Sequence, residues 1–275
     1  MTRTAQQKRA DFRALHTQGC FVIPNPWDAG SALALQSLGF KALATTSAGY
    51  AWSLGRLDGG ITRDESLAHL RAMAAATDLP VNADFESGFA QDAAGVAESV
   101  RMAVATGVAG LSIEDSTGDA ARPVRDIAEA VARLKAARAA IDESGGDTLL
   151  IGRAENFFLG RPDLEDTIAR LKAYSEAGAD CLYAPGIRTR EQIAAVVAAV
   201  APKPVNLLIG SDIGLTVADA AALGVRRISV GGALARAAWG GFLRAARAIA
   251  DEGRFDAFAQ AAPGGEINGL FQPAK

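Results

Sequence analysis

Histidine and cysteine are scarce, with two of each in 275 residues. Cys20 and Cys181 cannot build a disulfide framework, and singly they read as buried, inert thiols in a reducing, cytoplasmic setting. His16 and His69 both fall in helical segments, so neither a zinc site nor a histidine general base is expected. Basic surplus is also absent. The 28 Lys and Arg against 31 Asp and Glu leave a net charge of −3, which argues against nucleic acid or an anionic membrane surface as partner. Long apolar runs are missing too: the longest, Ile193 to Ala201, is about half of what a membrane span needs. Arg3, Lys8, Arg9, Asp11 and Arg13 precede no apolar segment of the secretory kind, so no signal peptide is expected. What is present suits a soluble chain with a sizeable core, at 49% hydrophobic and 21% charged residues.

One pattern recurs along the chain: a short apolar strand, a loop, a helix, a glycine, and the next strand. Strands are expected at Cys20–Pro24, Lys41–Thr45, Val81–Phe85, Gly110–Glu114, Thr148–Arg153, Asp180–Ala184, Val205–Ile209 and Arg226–Val230. They are near-continuous apolar runs, as parallel strands covered on both faces require. Thr62 with Glu65, and Thr189 with Gln192, have capping-box spacing. Pro162 suits a first helical turn. Gly39, Gly107, Gly178 and Gly224 suit left-handed helix ends. Val124, Ile127, Val131 and Leu134 mark the buried stripe of one long helix. Eight such units predict a (β/α)8 TIM-type barrel, residues 1–275 forming one domain, with extra helices from about residue 233. An open doubly wound sheet would ordinarily stop at fewer strands.

In such a barrel, chemistry collects at the carboxyl ends of the strands. Asp84, Glu86, Glu114 and Asp115 should therefore share one rim with Arg153, near Ser47 and Asn206. A lone acid at a strand end is usually a helix cap or a solvated loop charge; four on two adjacent strands repel one another unless a cation neutralises them. Oxygen-only donors suit a hard ion such as Mg²⁺. Arg153 alone reads equally as a carboxylate-binding group or as a structural partner of Glu155 or Glu114. Gly231-Gly232 is a weak phosphate-loop signal, equally explained by close packing.

Taken together, N-P-W-D-A-G-S-A (Asn25–Ala32), T-T-S-A-G (Thr45–Gly49), W-S-L-G-R-L-D-G-G (Trp52–Gly60), N-A-D-F-E-S-G (Asn82–Gly88), G-V-A-G-L-S-I-E-D-S (Gly107–Ser116), G-R-A-E-N-F (Gly152–Phe157), A-Y-S-E-A-G-A-D (Ala173–Asp180) and G-V-R-R-I-S (Gly224–Ser229) resemble the isocitrate lyase/phosphoenolpyruvate mutase superfamily. The resemblance implies Mg²⁺, or Mn²⁺, held directly or through water by Asp84, Glu86 and Glu114. It implies that Ser47, with the neighbouring N–H groups of Ala48 and Gly49, contacts the substrate's oxygen and carboxylate. Arg153 would pair with substrate carboxylate, Asp58 would arrange waters of the metal site, and Trp27 and Asn206 would join the substrate-binding set. It further implies a homodimer or homotetramer in which the last helix is exchanged between subunits.

The chain also departs from that pattern. The loop after the fourth strand reads S-T-G-D-A-A-R-P, Ser116 to Pro123, without the K-K-C-G-H of isocitrate and methylisocitrate lyases. Pro185-Gly186-Ile187 stands where phosphoenolpyruvate mutases carry histidine. Decarboxylation of an oxaloacetate-like 2-oxo acid makes fewer demands on that loop, and a related C–C lyase acting on another small 2-oxo or 2-hydroxy acid stands close behind it. Phosphonate P–C chemistry and a non-catalytic small-acid binder are the alternatives.

Overall fold

A computed structural model describes residues 3–272. The strands are β1 (Phe21–Ile23), β2 (Leu43–Ala44), β3 (Val81–Asp84), β4 (Gly110–Glu114), β5 (Leu149–Arg153), β6 (Cys181–Tyr183), β7 (Val205–Leu208) and β8 (Arg227–Ser229). Helices alternate with them: α1 (Ala5–Leu15), α2 (Ala29–Ser37), α3 (Ser47–Ser53), α4 (Arg63–Ala76), α5 (Ala93–Val104), α6 (Ile127–Glu143), α7 (Leu164–Glu176), α8 (Arg190–Val200), α9 (Val217–Ala222) and α10 (Ala233–Glu252). A short 3-10 turn (Asp256–Gln260) and α11 (Gly264–Gly269) follow.

All strand neighbours are parallel, in the order β1-β8-β7-β6-β5-β4-β3-β2. Between β1 and β2 the gap is bridged by Ala44 N donating to Pro24 O (3.1 Å) and Asn25 Nδ2 to Thr45 O (2.9 Å). The sheet thus curls into a (β/α)8 barrel. All eight expected strands are present, each one to three residues shorter than expected or unchanged, because the ladder stops where the chain turns toward a helix.

Strand parity divides the core in two. Outward residues such as Leu111, Ile113, Leu150 and Leu182 pack under the helices with Val96, Leu134, Leu171 and Ile193. Inward residues Ile23, Ala44, Leu149, Ile151, Cys181 and Tyr183 fill the barrel, and Phe12 of α1 plugs its lower end. Residues alternate across a strand, so one short apolar run feeds both layers.

The expected caps form at α4 and α8, where Thr62 and Thr189 make reciprocal capping boxes with Glu65 and Gln192. Gly39, Gly107, Gly178 and Gly224 all have φ between 86° and 102°. Two expectations need correction. Pro162 lies outside α7, because Asp163 caps that helix through Asp166 N. Val124 is not on the α6 stripe; it bridges Ser116 across the preceding loop, and the buried face of α6 is Ala130, Arg133, Leu134, Ala137, Ala140 and Ile141. Among the described residues no helix is long and apolar enough to cross a membrane.

Candidate active site

The carboxyl ends of the strands surround a cavity of about 410 Å³. Ser47, Ala48, Trp52, Asp58, Asp84, Arg153 and Tyr183 line it. Deeper in the barrel, Asn82, Ser112, Arg227 and Ser229 also face it.

Arg153, the last residue of β5, organises the rim. Its Nη1 lies 3.2 Å from both Asp84 Oδ1 and Glu114 Oε2, and its Nε donates to Glu155 Oε1. Its guanidinium carbon stands 5.2 Å from the centre of the Tyr183 ring, a cation–π contact. Burial opposes the charge on Arg153, but Glu155 and Glu114 more than offset it and hold the group protonated. The two roles expected of this arginine are therefore not exclusive: it is paired with carboxylates in a place where a substrate carboxylate could take their position.

Ser47 begins α3, and both its N–H and its hydroxyl donate to Asp84 Oδ2, at 3.0 and 2.9 Å. Glu86 follows β3 with φ at +47°, a left-handed backbone uncommon for a residue with a side chain. Its carbonyl accepts from Glu114 N (3.0 Å), which ties the loop to β4. Burial, and then the negative charge of Asp84 and Glu114, push the Glu86 carboxyl up to about 8. Glu114, beside Ser116 Oγ (2.7 Å), is also pushed up, first by burial. Asp58 sits at the solvent-accessible mouth, where partial desolvation and Asp84 raise its carboxyl.

These groups can be tested against a hard divalent ion. The rim sets four acidic groups, Asp58, Asp84, Glu86 and Glu114, against one arginine, and their mutual repulsion helps to push Asp58, Glu86 and Glu114 up. Glu86 Oε1 is buried without a hydrogen-bond partner. Every acidic donor is a carboxylate oxygen. That chemistry fits Mg²⁺ or Mn²⁺. Among the described residues the side chains do not form a ready-made three-carboxylate cage; Arg153 stands between Asp84 and Glu114.

Other expected site residues lie elsewhere. Asp115 points away from the rim, because on β4 Glu114 faces the barrel and its neighbour faces the helices. Trp27 is not on the cavity wall: its carbonyl accepts from His69 Nε2 (3.0 Å), and its Cβ packs against Gly49. The Gly49 N–H caps α3 through Thr46 Oγ1 (3.2 Å) instead of facing the cavity. Asn206 lies behind the wall, bonded to Ser229 and Arg227. Gly231 and Gly232 line the cavity, but the Gly231 N–H is taken by Asn25 Oδ1 (2.9 Å). Tyr183 and Arg227 were missed by sequence reasoning. The available signal was a polar or charged residue at an inward position of an apolar strand.

A family model described as phosphoenolpyruvate phosphomutase matches residues 12–250. A solved structure from Burkholderia cenocepacia J2315, provisionally described as a lyase/mutase, is 50% identical, with a TM-score of 0.94 and 97% of each chain covered. A Mycobacterium tuberculosis protein of uncharacterised function is 35% identical over 87% of this chain and 89% of its own. The oxaloacetate decarboxylase of Paraburkholderia xenovorans is 32% identical over 81% of this chain and 74% of its own. With the barrel, the acidic rim and Arg153 in place, the family match over most of the sequence leads to one conclusion: this chain belongs to the phosphoenolpyruvate phosphomutase family of the isocitrate lyase/phosphoenolpyruvate mutase superfamily.

Proposed function

We propose that the protein is a Mg²⁺-dependent carbon–carbon lyase or decarboxylase for a small 2-oxo or 2-hydroxy acid of the oxaloacetate type. The observation that carries this reading is Arg153, held on carboxylates beside Ser47 at the wall of a polar cavity. The similarity to an oxaloacetate decarboxylase supports the substrate class.

Asp84, Glu86 and Glu114 are the residues that would hold the ion, directly or through water. A bound Mg²⁺ or Mn²⁺ supplies positive charge where a carbonyl oxygen gains negative charge as the adjacent bond breaks. Arg153 presents a planar fork that pairs with a carboxylate in two parallel bonds and so fixes the orientation of the scissile bond. Ser47, at the start of α3, turns its hydroxyl and N–H from Asp84 toward a substrate oxygen. Ala48 lines the same wall. Asp58, at the mouth, is placed to arrange waters of the metal site. In the loop from Ser116 to Pro123 there is no cysteine, lysine or histidine to act as an acid. Decarboxylation tolerates this, since carbon dioxide leaves without protonation and the remaining carbanion can take its proton from water.

The test is pyruvate formation from oxaloacetate with Mg²⁺, compared with the rate for Mg²⁺ alone. A clear excess that vanishes with chelator is the expected result. Ligand-induced thermal stabilisation without any product, across a screen of small 2-oxo acids and phosphonates, would overturn catalysis in favour of binding.

The same reading includes self-association in a cytoplasmic setting. On α10 and beyond, Trp239, Phe242, Leu243, Phe255, Phe258 and Phe271 are exposed, more apolar surface than a lone soluble chain usually shows in one region. An exchanged C-terminal helix would cover it in a homodimer or homotetramer. Sedimentation at micromolar concentration should show that species; a monomer there would refute the exchange.

A further inference from the structure

At the floor of the cavity lies a cation that no acidic side chain among the described residues answers. Arg227, at the start of β8, is 2% exposed and lines the cavity. Its Nε donates to Asn206 Oδ1 at 2.8 Å and its Nη1 reaches Asn82 Oδ1 at 3.5 Å. Both acceptors are neutral. Among the described residues the rim carboxylates Asp84 and Glu114 pair with Arg153 instead, and the titratable groups that act favourably on Arg227 are Cys181 and Tyr183. Burial pushes both of those groups up, so both are neutral near pH 7.

A buried charge without a partner is costly. Arg133 shows the ordinary remedy, since its guanidinium is cradled by the carbonyls of Ser87, Ala90 and Gln91. Arg227 has no carbonyl cradle, and its Nη2 has no acceptor among the described residues. An anion arriving through the cavity would supply one.

The spacing indicates which anion. Asp84 and Asn82 are two residues apart on the inner face of β3, so they lie about 7 Å apart along the strand. The first contacts Arg153 and the second contacts Arg227. On the opposite wall, Tyr183 lies under Arg153 and Ser229 faces the cavity, while Asn206 behind them donates to Ser229 Oγ (2.9 Å) and accepts from Arg227. Polar groups therefore line the barrel from one arginine to the other, one side-chain layer apart. A four- or five-carbon diacid spans such a distance.

We propose that Arg227, with Asn82, Ser112 and Ser229, seats the second carboxylate of the substrate. The inference rests on Arg153 and Ser47 holding the first carboxylate, and it narrows the substrate to 2-oxo diacids. Arg188 and Arg236 at the cavity mouth are the rival seat.

Calorimetric titration with Mg²⁺ present separates these cases, using oxalate, 2-oxoglutarate and 2-oxovalerate. The last two have the same chain length and differ in a terminal carboxylate against a methyl group. The wild-type protein should bind 2-oxoglutarate roughly ten- to a hundredfold tighter, the range of one charged hydrogen-bonded contact. Arg227→Gln should erase that preference and leave oxalate binding unchanged. Asn82→Asp should erase it too, while raising Tm, because it gives the arginine an internal partner; it decides the matter if Arg227→Gln does not fold. No preference in the wild type, or a preference intact in the folded variants, overturns the proposal. Loss of preference only in an Arg188→Gln, Arg236→Gln double variant moves the seat to the mouth and overturns it equally. Failure of the wild type to bind oxalate would instead sink the underlying active-site reading, and this inference with it.

Discussion

Arg153→Met should lower kcat/KM by about 10²–10⁴-fold, the factor equivalent to losing one partner of a buried, hydrogen-bonded charge pair. The side chain does two things that methionine cannot. In the proposed reaction it presents a fork to the substrate carboxylate, and in the structure it neutralises Asp84, Glu114 and Glu155. Arg153→Lys keeps the charge and loses the fork, so its activity should fall between wild type and Arg153→Met. Stability should respond to pH as well. Glu86 already titrates near 8 in the folded protein, against 4.5 as its ordinary value, and Arg153 is among the groups holding it down. With Arg153 gone, Glu86 and Glu114 rise further. Folded protein then binds more protons than unfolded protein, so stability falls as pH climbs from about 4.5 through the folded values. The variant's deficit should therefore be greater at pH 8 than at pH 5. Steady-state kinetics with saturating Mg²⁺, with circular dichroism to confirm folding, check both points. A folded Arg153→Met enzyme within tenfold of wild type would remove Arg153 from the mechanism.

The barrel was legible because parallel strands covered on both faces cannot avoid apolar runs, and because glycine closes the helices before them. The rim acids were legible for the same reason: a strand's last residue sets its height in the barrel. Direction was harder to read. Glu114 and Asp115 are adjacent in sequence, and only strand parity, counted from Gly110 and Ser112, sends one inward and the other toward α7. Gly49 illustrates a different limit. Its N–H matched a substrate-binding pattern, but the local cap on Thr46 claims it, a hydrogen bond that the resemblance did not reveal. Arg227 was overlooked because it stands beside Arg226 in a strand start, where an arginine pair reads as solvated charge. Arg226 is partly exposed and Arg227 is buried; the pleat alone separates them.

The largest loss of stability should come from Asp115→Ala, at about 2–6 kcal/mol, two buried neutral donors losing their acceptor at roughly 1–3 kcal/mol each. Asp115 is 2% exposed and collects three donors between the sheet and α7. Tyr174 Oη donates at 2.5 Å, Arg170 Nη1 at 3.1 Å, and the Glu155 backbone N–H at 2.8 Å. Alanine leaves all three without their acceptor. Arg170 retains Asp166 and the Arg125 carbonyl, so its charge is not stranded; the Tyr174 hydroxyl and the Glu155 N–H have no such reserve. Typical domains hold only about 5–15 kcal/mol in total, so a loss of this size takes a large part of the margin. Asp115→Asn should cost less, because its carbonyl oxygen can still accept from Glu155 while its amide faces Arg170, which cannot accept. Tyr174→Phe should cost about 1 kcal/mol, one neutral donor removed. The order Ala, then Asn, then the tyrosine variant is the diagnostic feature in urea denaturation. Glu155 connects this network to the site: its backbone is held by Asp115 and its side chain holds Arg153. Asp115→Ala should accordingly loosen Arg153 even at temperatures where the barrel stays folded. A variant within 1 kcal/mol of wild type would mean that the three donors find water, and that the outer network contributes neither to stability nor to the posture of Arg153.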